Sequence, residues 1–100
     1  MARPTKVSLD EVQKRLASID GYEVVAGDVP AIRRTYELPT FARGIAFVGA
    51  LAEVADEMDH HPDIDIRYRR VTITLSTHDA GGITELDLAQ AARANALAAD

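Results

Sequence analysis

The run DEMDHHPDI, residues 56 to 64, sets two of the chain's three histidines side by side, directly before a proline. Imidazole, with an unperturbed pKa of about 6.5, can give or take a proton near neutrality. A proline disfavours helical geometry in the residue before it. His61 is therefore expected to have left any preceding helix, with His60 at or just past that helix's C-terminus. Neighbouring side chains on a regular helix diverge by about 100°, and the change of backbone re-aims them further. Such a pair suits two atoms of one ligand, or one contact and one support, better than a joint grip on one atom.

The third histidine, His78, follows a stretch in which Val71, Ile73 and Leu75 alternate with Thr72, Thr74 and Ser76. Continued to residue 78, that period of two puts His78 on the polar face. Just upstream, Ile64, Ile66 and Tyr68 alternate with Asp65 and Arg67. The two runs read as an antiparallel hairpin with one apolar face, turning at Arg69-Arg70. A hairpin sets the start of its first strand beside the end of its second. Residues 60–63 and 76–79 are thus expected to be neighbours, with all three histidines among them.

Four readings fit that neighbourhood. His60 and His61 can simply end a helix, where a cationic imidazole gains about 0.3–1 kcal/mol from the helix dipole. Three histidines with Asp59, Asp63 and Asp79 can bind zinc. The imidazoles can perform acid–base catalysis without a metal. Or the segment belongs to a dimerisation module with no chemistry. Spacing and composition leave all four open.

The elements that must position these residues are legible along the chain. Ser8 with Glu11 reads as a capping box. Leu9, Val12, Leu16 and Ile19 then recur at helical spacing, up to Gly21. Residues 22–25 and 32–38 read as strands joined by the turn residues GDVP, 27–30. Pro39 and Thr40 open the longest helix, which runs to about Met58. Its stripe of Phe47, Leu51, Val54 and Met58, widened by Phe41, Ile45, Val48 and Ala55, should lie across a sheet. Gly44, Ala46, Gly49 and Ala50 keep part of its surface thin. DAGG, 79–82, ends the second hairpin strand, and Thr84 with Asp87 caps a last, alanine-rich helix. The expected fold is α+β: a four-stranded antiparallel sheet with three helices packed on one face, in the order α-β-β-α-β-β-α, as one domain over residues 1–100.

Composition bounds the function. One hundred residues with 47% hydrophobic content suit a single globular core. A formal net charge of -5 argues against a nucleic-acid partner, which calls for a basic footprint. No apolar run approaches the roughly 20 residues that span a bilayer, and the N-terminal stretch lacks the apolar centre of a secretory signal. There is no cysteine. Disulfides, thiolate metal sites and thiol nucleophiles are thereby excluded, in keeping with a cytoplasmic setting.

The stretch EMDHHPDIDIRYRRVTITLSTHDAGGITELDL, 57 to 88, resembles the signature of the pterin-4a-carbinolamine dehydratases, also known as dimerisation cofactors of a homeodomain transcription factor. Glu57, His60, His61, Pro62, Tyr68, Ser76, Thr77, His78 and Asp87 fill the family's pattern in order. The element order agrees along nearly the whole chain. The resemblance implies dehydration of 4a-hydroxytetrahydropterin to quinonoid dihydropterin, after an aromatic amino acid hydroxylase has used the cofactor. The pterin is the substrate, so neither a cofactor nor a metal is implied. By this likeness His60, His61 and His78 are catalytic. His60 and His78 would move protons at the departing hydroxyl, and His61 would hold the ring as base or orienting group. Glu57, Asp59, Ser76, Thr77 and Asp79 would meet the substrate, and Asp87 would orient an imidazole from behind. Ile64 and Asp65 stand where some members have an aromatic residue, and Tyr22 where tryptophan is usual, which bears on affinity and substrate preference. A homodimer or homotetramer is also implied. The second strand of the hairpin, an edge strand near residues 22–25, or the small-residue face of the 41–58 helix would supply its contacts.

Overall fold

The computed structural model of the protein describes residues 4–99. Ser8 Oγ accepts the Glu11 amide at 3.2 Å and opens helix α1 (Leu9–Leu16). The helix is shorter than its apolar spacing predicts. It closes at Ala17, and Ile19 reaches the core from the turn that follows. Gly21 lies beyond the helix with φ 81°, where a Cβ would run into the Arg34 side chain.

Strands β1 (Glu23–Val25) and β2 (Ala31–Glu37) form the first hairpin. Helix α2 (Phe41–Met58) follows, capped by Thr40 Oγ1, which accepts the Arg43 amide at 3.1 Å. Strands β3 (Asp63–Arg67) and β4 (Arg70–Leu75) form the second hairpin, and helix α3 (Glu85–Ala99) ends the fold. All pairings are antiparallel, in the order β1-β2-β4-β3. The expected α+β architecture, with three helices on one face of a four-stranded sheet, is therefore present.

Register explains the core. Ile32 pairs with Leu75 and Tyr36 with Val71, so these four share the face that the helices cover. All four are buried, as are Phe47 and Leu51 of α2 and Leu88 and Ala91 of α3. Where α2 crosses the sheet at Gly44, a Cβ would stand 3.7 Å from Val71 Cγ2, whereas Gly49 faces open space. Behind β2, Tyr36 donates its hydroxyl to Asn95 Oδ1 at 2.6 Å, and its oxygen accepts from the Tyr22 hydroxyl at 2.9 Å. Burial raises both phenol pKa values above the usual tyrosine range.

Three details differ from the sequence expectation. The hairpin turns at Tyr68-Arg69, one position early, with Tyr68 in left-handed geometry at φ 54°. The second hairpin strand, β4, is interior to the sheet and cannot extend it; the free edges belong to β1 and β3. β3 does alternate, and its Ile64 and Ile66 pair with Ile73 and Val71 on the helix side. The two isoleucines nonetheless stay 36% and 39% exposed at that edge. Among the described residues, no helix is long and apolar enough to cross a membrane.

Candidate active site

Helix α2 ends because Asp59 takes the left-handed conformation, φ 50° and ψ 45°. Aspartate tolerates that region better than most residues. The His60 amide then reaches back to the Ala55 carbonyl at 3.0 Å, and the Asp59 amide to Asp56 at 3.2 Å, closing a Schellman-type cap. This reversal carries His60 inward against α3, where it is 6% exposed. His61, outside the helix and followed by Pro62, turns the other way. Its side chain is 60% exposed, and its Nε2 lies 2.9 Å from Asp56 Oδ1.

Strand β4 stops at Leu75, so the period of two does not reach residue 78. Thr77 instead pairs with Gly82, donating its amide to the Gly82 carbonyl at 2.7 Å. Residues His78–Ala80 make a 3₁₀ turn closed by Gly81 at φ 78°. His78 is therefore carried by this turn and not by a strand face. It is exposed, and its imidazole makes no hydrogen bond to a described residue.

These two chain reversals face each other. Asp59, His60, His61, Ser76, Thr77, His78 and Asp79 line one cleft of about 200 Å³. Glu57 is not among its walls; its Oε2 accepts from Arg93 Nη2 at 3.2 Å on the outer surface. Asp63 is exposed at the start of β3. Among the described residues, no group of three or more histidine, aspartate or glutamate side chains is arranged to hold a metal ion.

Behind the cleft lies a buried polar relay. Asp87 is fully buried, and its Oδ1 lies 2.5 Å from His60 Nε2. Its Oδ2 accepts from the Thr84 amide at 2.9 Å and from the Thr77 hydroxyl at 2.8 Å. The Thr77 proton being committed there, Thr84 Oγ1 donates to Thr77 Oγ1 at 2.8 Å and accepts the Leu86 amide at 3.2 Å. Two donors on one oxygen suit an ionised carboxylate, which is acceptor-only. The proton between the pair then sits on His60 Nε2, and Nδ1 is left with no partner among the described residues. Among the described residues, the sealed side-chain polar atom lacking a partner is Gln90 Oε1. Nδ1 of His60 is not sealed in this way, and His60 is one of the residues lining the cleft.

Asp87 serves both as helix cap and as partner of His60, since its two oxygens point in different directions. Thr77 spends its hydroxyl on this relay and its amide and carbonyl on the turn that follows, the amide bonding Gly82 and the carbonyl accepting from Ala80 and Gly82. Two residues at the site were not singled out from sequence: Asp56, beside His61, and Gln90, whose Nε2 donates to the His60 carbonyl at 2.7 Å. Gln90 carried one signal. It stands three places after Asp87, on the face of α3 that otherwise buries Leu88, Ala91 and Ala94.

Comparison with known proteins identifies the family. The family model described as pterin 4 alpha carbinolamine dehydratase matches residues 5–97. A relative from Mycolicibacterium smegmatis, which carries the provisional name pterin-4-alpha-carbinolamine dehydratase, is 49% identical over 94 residues, 94% of this chain and 97% of its own. A Brucella melitensis crystal structure described as a transcriptional coactivator/pterin dehydratase superposes with a TM-score of 0.89 at 35% identity, covering 94% of this chain and 99% of that one. A pterin dehydratase-like protein described as a RuBisCO assembly factor of the alpha-carboxysome superposes with a TM-score of 0.67 at 30% identity, over 78% of this chain and 89% of its own. With nearly its whole length matched by the family model, the chain belongs to the pterin 4 alpha carbinolamine dehydratase family.

Proposed function

We propose that this protein removes water from a 4a-hydroxytetrahydropterin, yielding quinonoid dihydropterin, by histidine acid–base catalysis. One observation carries the reading: three imidazoles line a single cleft, and one of them is backed by a buried carboxylate that leaves its Nδ1 without a partner among the described residues. The cleft, about 200 Å³, lies below the roughly 300–1,000 Å³ of drug-sized pockets, in keeping with a small, flat heterocycle.

The reaction needs two proton movements and no change of oxidation state. The C4a–O bond breaks as the departing hydroxyl receives a proton and leaves as water. The lone pair of the adjacent ring nitrogen forms a new double bond to C4a, and that nitrogen gives up its proton. His60 and His78, on opposite walls of the cleft, serve the hydroxyl. His61, exposed and paired with Asp56, holds the ring and takes or orients the nitrogen proton. Asp59, Asp79 and Ser76 meet the amino-pyrimidine edge, and Asp87 orients His60. Each acid–base contribution is worth about 10² to 10⁴-fold in rate. The chemistry calls for neither metal nor cofactor, and it fits a cytoplasmic pterin-recycling step downstream of an aromatic amino acid hydroxylase.

The test is a stopped-flow assay with synthetic 4a-hydroxytetrahydropterin, following its absorbance with and without protein. Acceleration is expected; decay at the uncatalysed rate would refute the reading.

A homo-oligomer accompanies this proposal. The free edge at β3 exposes Ile64 and Ile66. A two-fold antiparallel pairing of β3 with its copy, centred on Ile66, sets Arg67 opposite Asp65, and opposite charges across strands are favourable.

A further inference from the structure

Gln90 is fully buried on the inner face of α3, three residues after Asp87. Residues three apart on a helix share a face, so one stretch of α3 presents both side chains to the end of α2. Asp87 takes the His60 ring, and Gln90 Nε2 takes the His60 carbonyl at 2.7 Å. The same nitrogen approaches Met58 Sδ at 3.6 Å. Gln90 therefore touches the residues on both sides of the left-handed Asp59.

The Gln90 Oε1 atom is sealed and has no partner. Burying an amide with one end unsatisfied costs stability, and the neighbouring inward positions are filled by Leu88, Ala91 and Ala94. Packing by itself would favour an apolar residue here. The amide has a specific use, because the carbonyls at a helix end lack helical partners.

We infer that Gln90 is a positioning residue for His60, its amide fixing the peptide that aims the imidazole into the cleft. The His60 amide is tied to Ala55 and its carbonyl to Gln90, so both backbone torsions of His60 are held. That sets the direction of the Cα–Cβ bond. Asp87 can then fix only the rotation of the ring about it. The same peptide plane leads into His61, so Gln90 also sends His61 toward solvent.

The kinetic part of this inference rests on the proposed dehydration; the spectroscopic part does not. The test compares wild-type protein with Gln90→Met, which keeps the length of the side chain and removes the donor, using chains with ¹⁵N-labelled histidine. Wild-type protein is expected to show a His60 Nε2–H resonance that exchanges slowly. In Gln90→Met that proton should exchange at least several-fold faster. Its kcat should fall about tenfold while KM stays within about twofold, as expected for a misaimed group and not a lost contact.

An unchanged His60 resonance and an unchanged kcat in folded Gln90→Met would overturn the assignment. Should that variant fail to fold, wild-type protein decides. The Gln90 side-chain amide protons must exchange more slowly than those of Gln13, exposed on α1, and equal exchange would overturn the assignment as well. Protein that shows the His60 signature but leaves the carbinolamine untouched would sink the dehydratase reading and spare Gln90.

Discussion

The His60 imidazole and the Asp87 carboxylate meet 2.5 Å apart, 6% and 0% exposed, although they lie 27 positions apart in the chain. Asp87 also takes the hydroxyl of Thr77 and the amide of Thr84. One carboxylate thus ties together the end of α2, the segment after β4 and the start of α3.

Asp87→Asn should keep this shape while spoiling its proton arrangement. An amide oxygen at the Oδ2 position preserves the cap, and the NH₂ group then faces His60 Nε2 and forces the other tautomer. Dehydration is expected to slow by about 10² to 10⁴-fold, as for removal of an orienting carboxylate elsewhere. Circular dichroism should show a retained fold. A rate within twofold of wild type would remove Asp87 from the mechanism.

His60→Ala and His78→Ala are each expected to lower kcat by about 10²-fold or more. The chelator EDTA should have no effect on wild-type protein. Loss of activity with EDTA and its return with zinc would transfer the case to a metal mechanism.

The buried Tyr22–Tyr36 pair makes the fold sensitive to alkali. Burial raises both phenol pKa values above that of the unfolded chain, about 10, so the native state holds these protons more tightly. Stability is complete below pH 10 and declines above it, by about 1.4 kcal/mol per pH unit for each phenol that stays protonated. Urea titrations from pH 8 to 11 should show the decline beginning near pH 10. Tyr22→Phe should reduce its slope, because Tyr36 still reaches Asn95. An identical slope in that variant would show that Tyr22 does not contribute.

Ile66→Lys puts a charge at the centre of the β3 edge, where natural proteins use lysine to prevent strand pairing. The expected result is a shift to monomer in multi-angle light scattering, with the far-ultraviolet spectrum unchanged. An oligomer that survives this substitution would have to be held elsewhere, the small-residue face of α2 being the next surface to test.

Short-range signals sufficed for much of the molecule. Ser8, Thr40 and the Thr84–Asp87 pair each act on amides within a few residues, so the helix starts were legible. The alternation from Val71 to Leu75 gave the inner face of β4, and hairpin connectivity brought residues 60 and 78 toward each other. Pro62 marked His61 as lying outside the helix. These are local rules of sterics and hydrogen bonding, read over two to four residues.

Other features depend on contacts between distant elements. Which histidine turns inward follows from the left-handed Asp59 and from where α3 lies, not from the order His60, His61. β4 ends at Leu75 because Thr77 pairs with Gly82. Gln90 gained its partner only when two helices docked and left the His60 carbonyl in front of it. Local propensity determined the elements and the histidines they carry. The packing of α3 against the end of α2 decided which imidazole is buried, which is exposed and which nitrogen Asp87 holds, because those outcomes depend on the distance between side chains whose sequence separation carries no information about it.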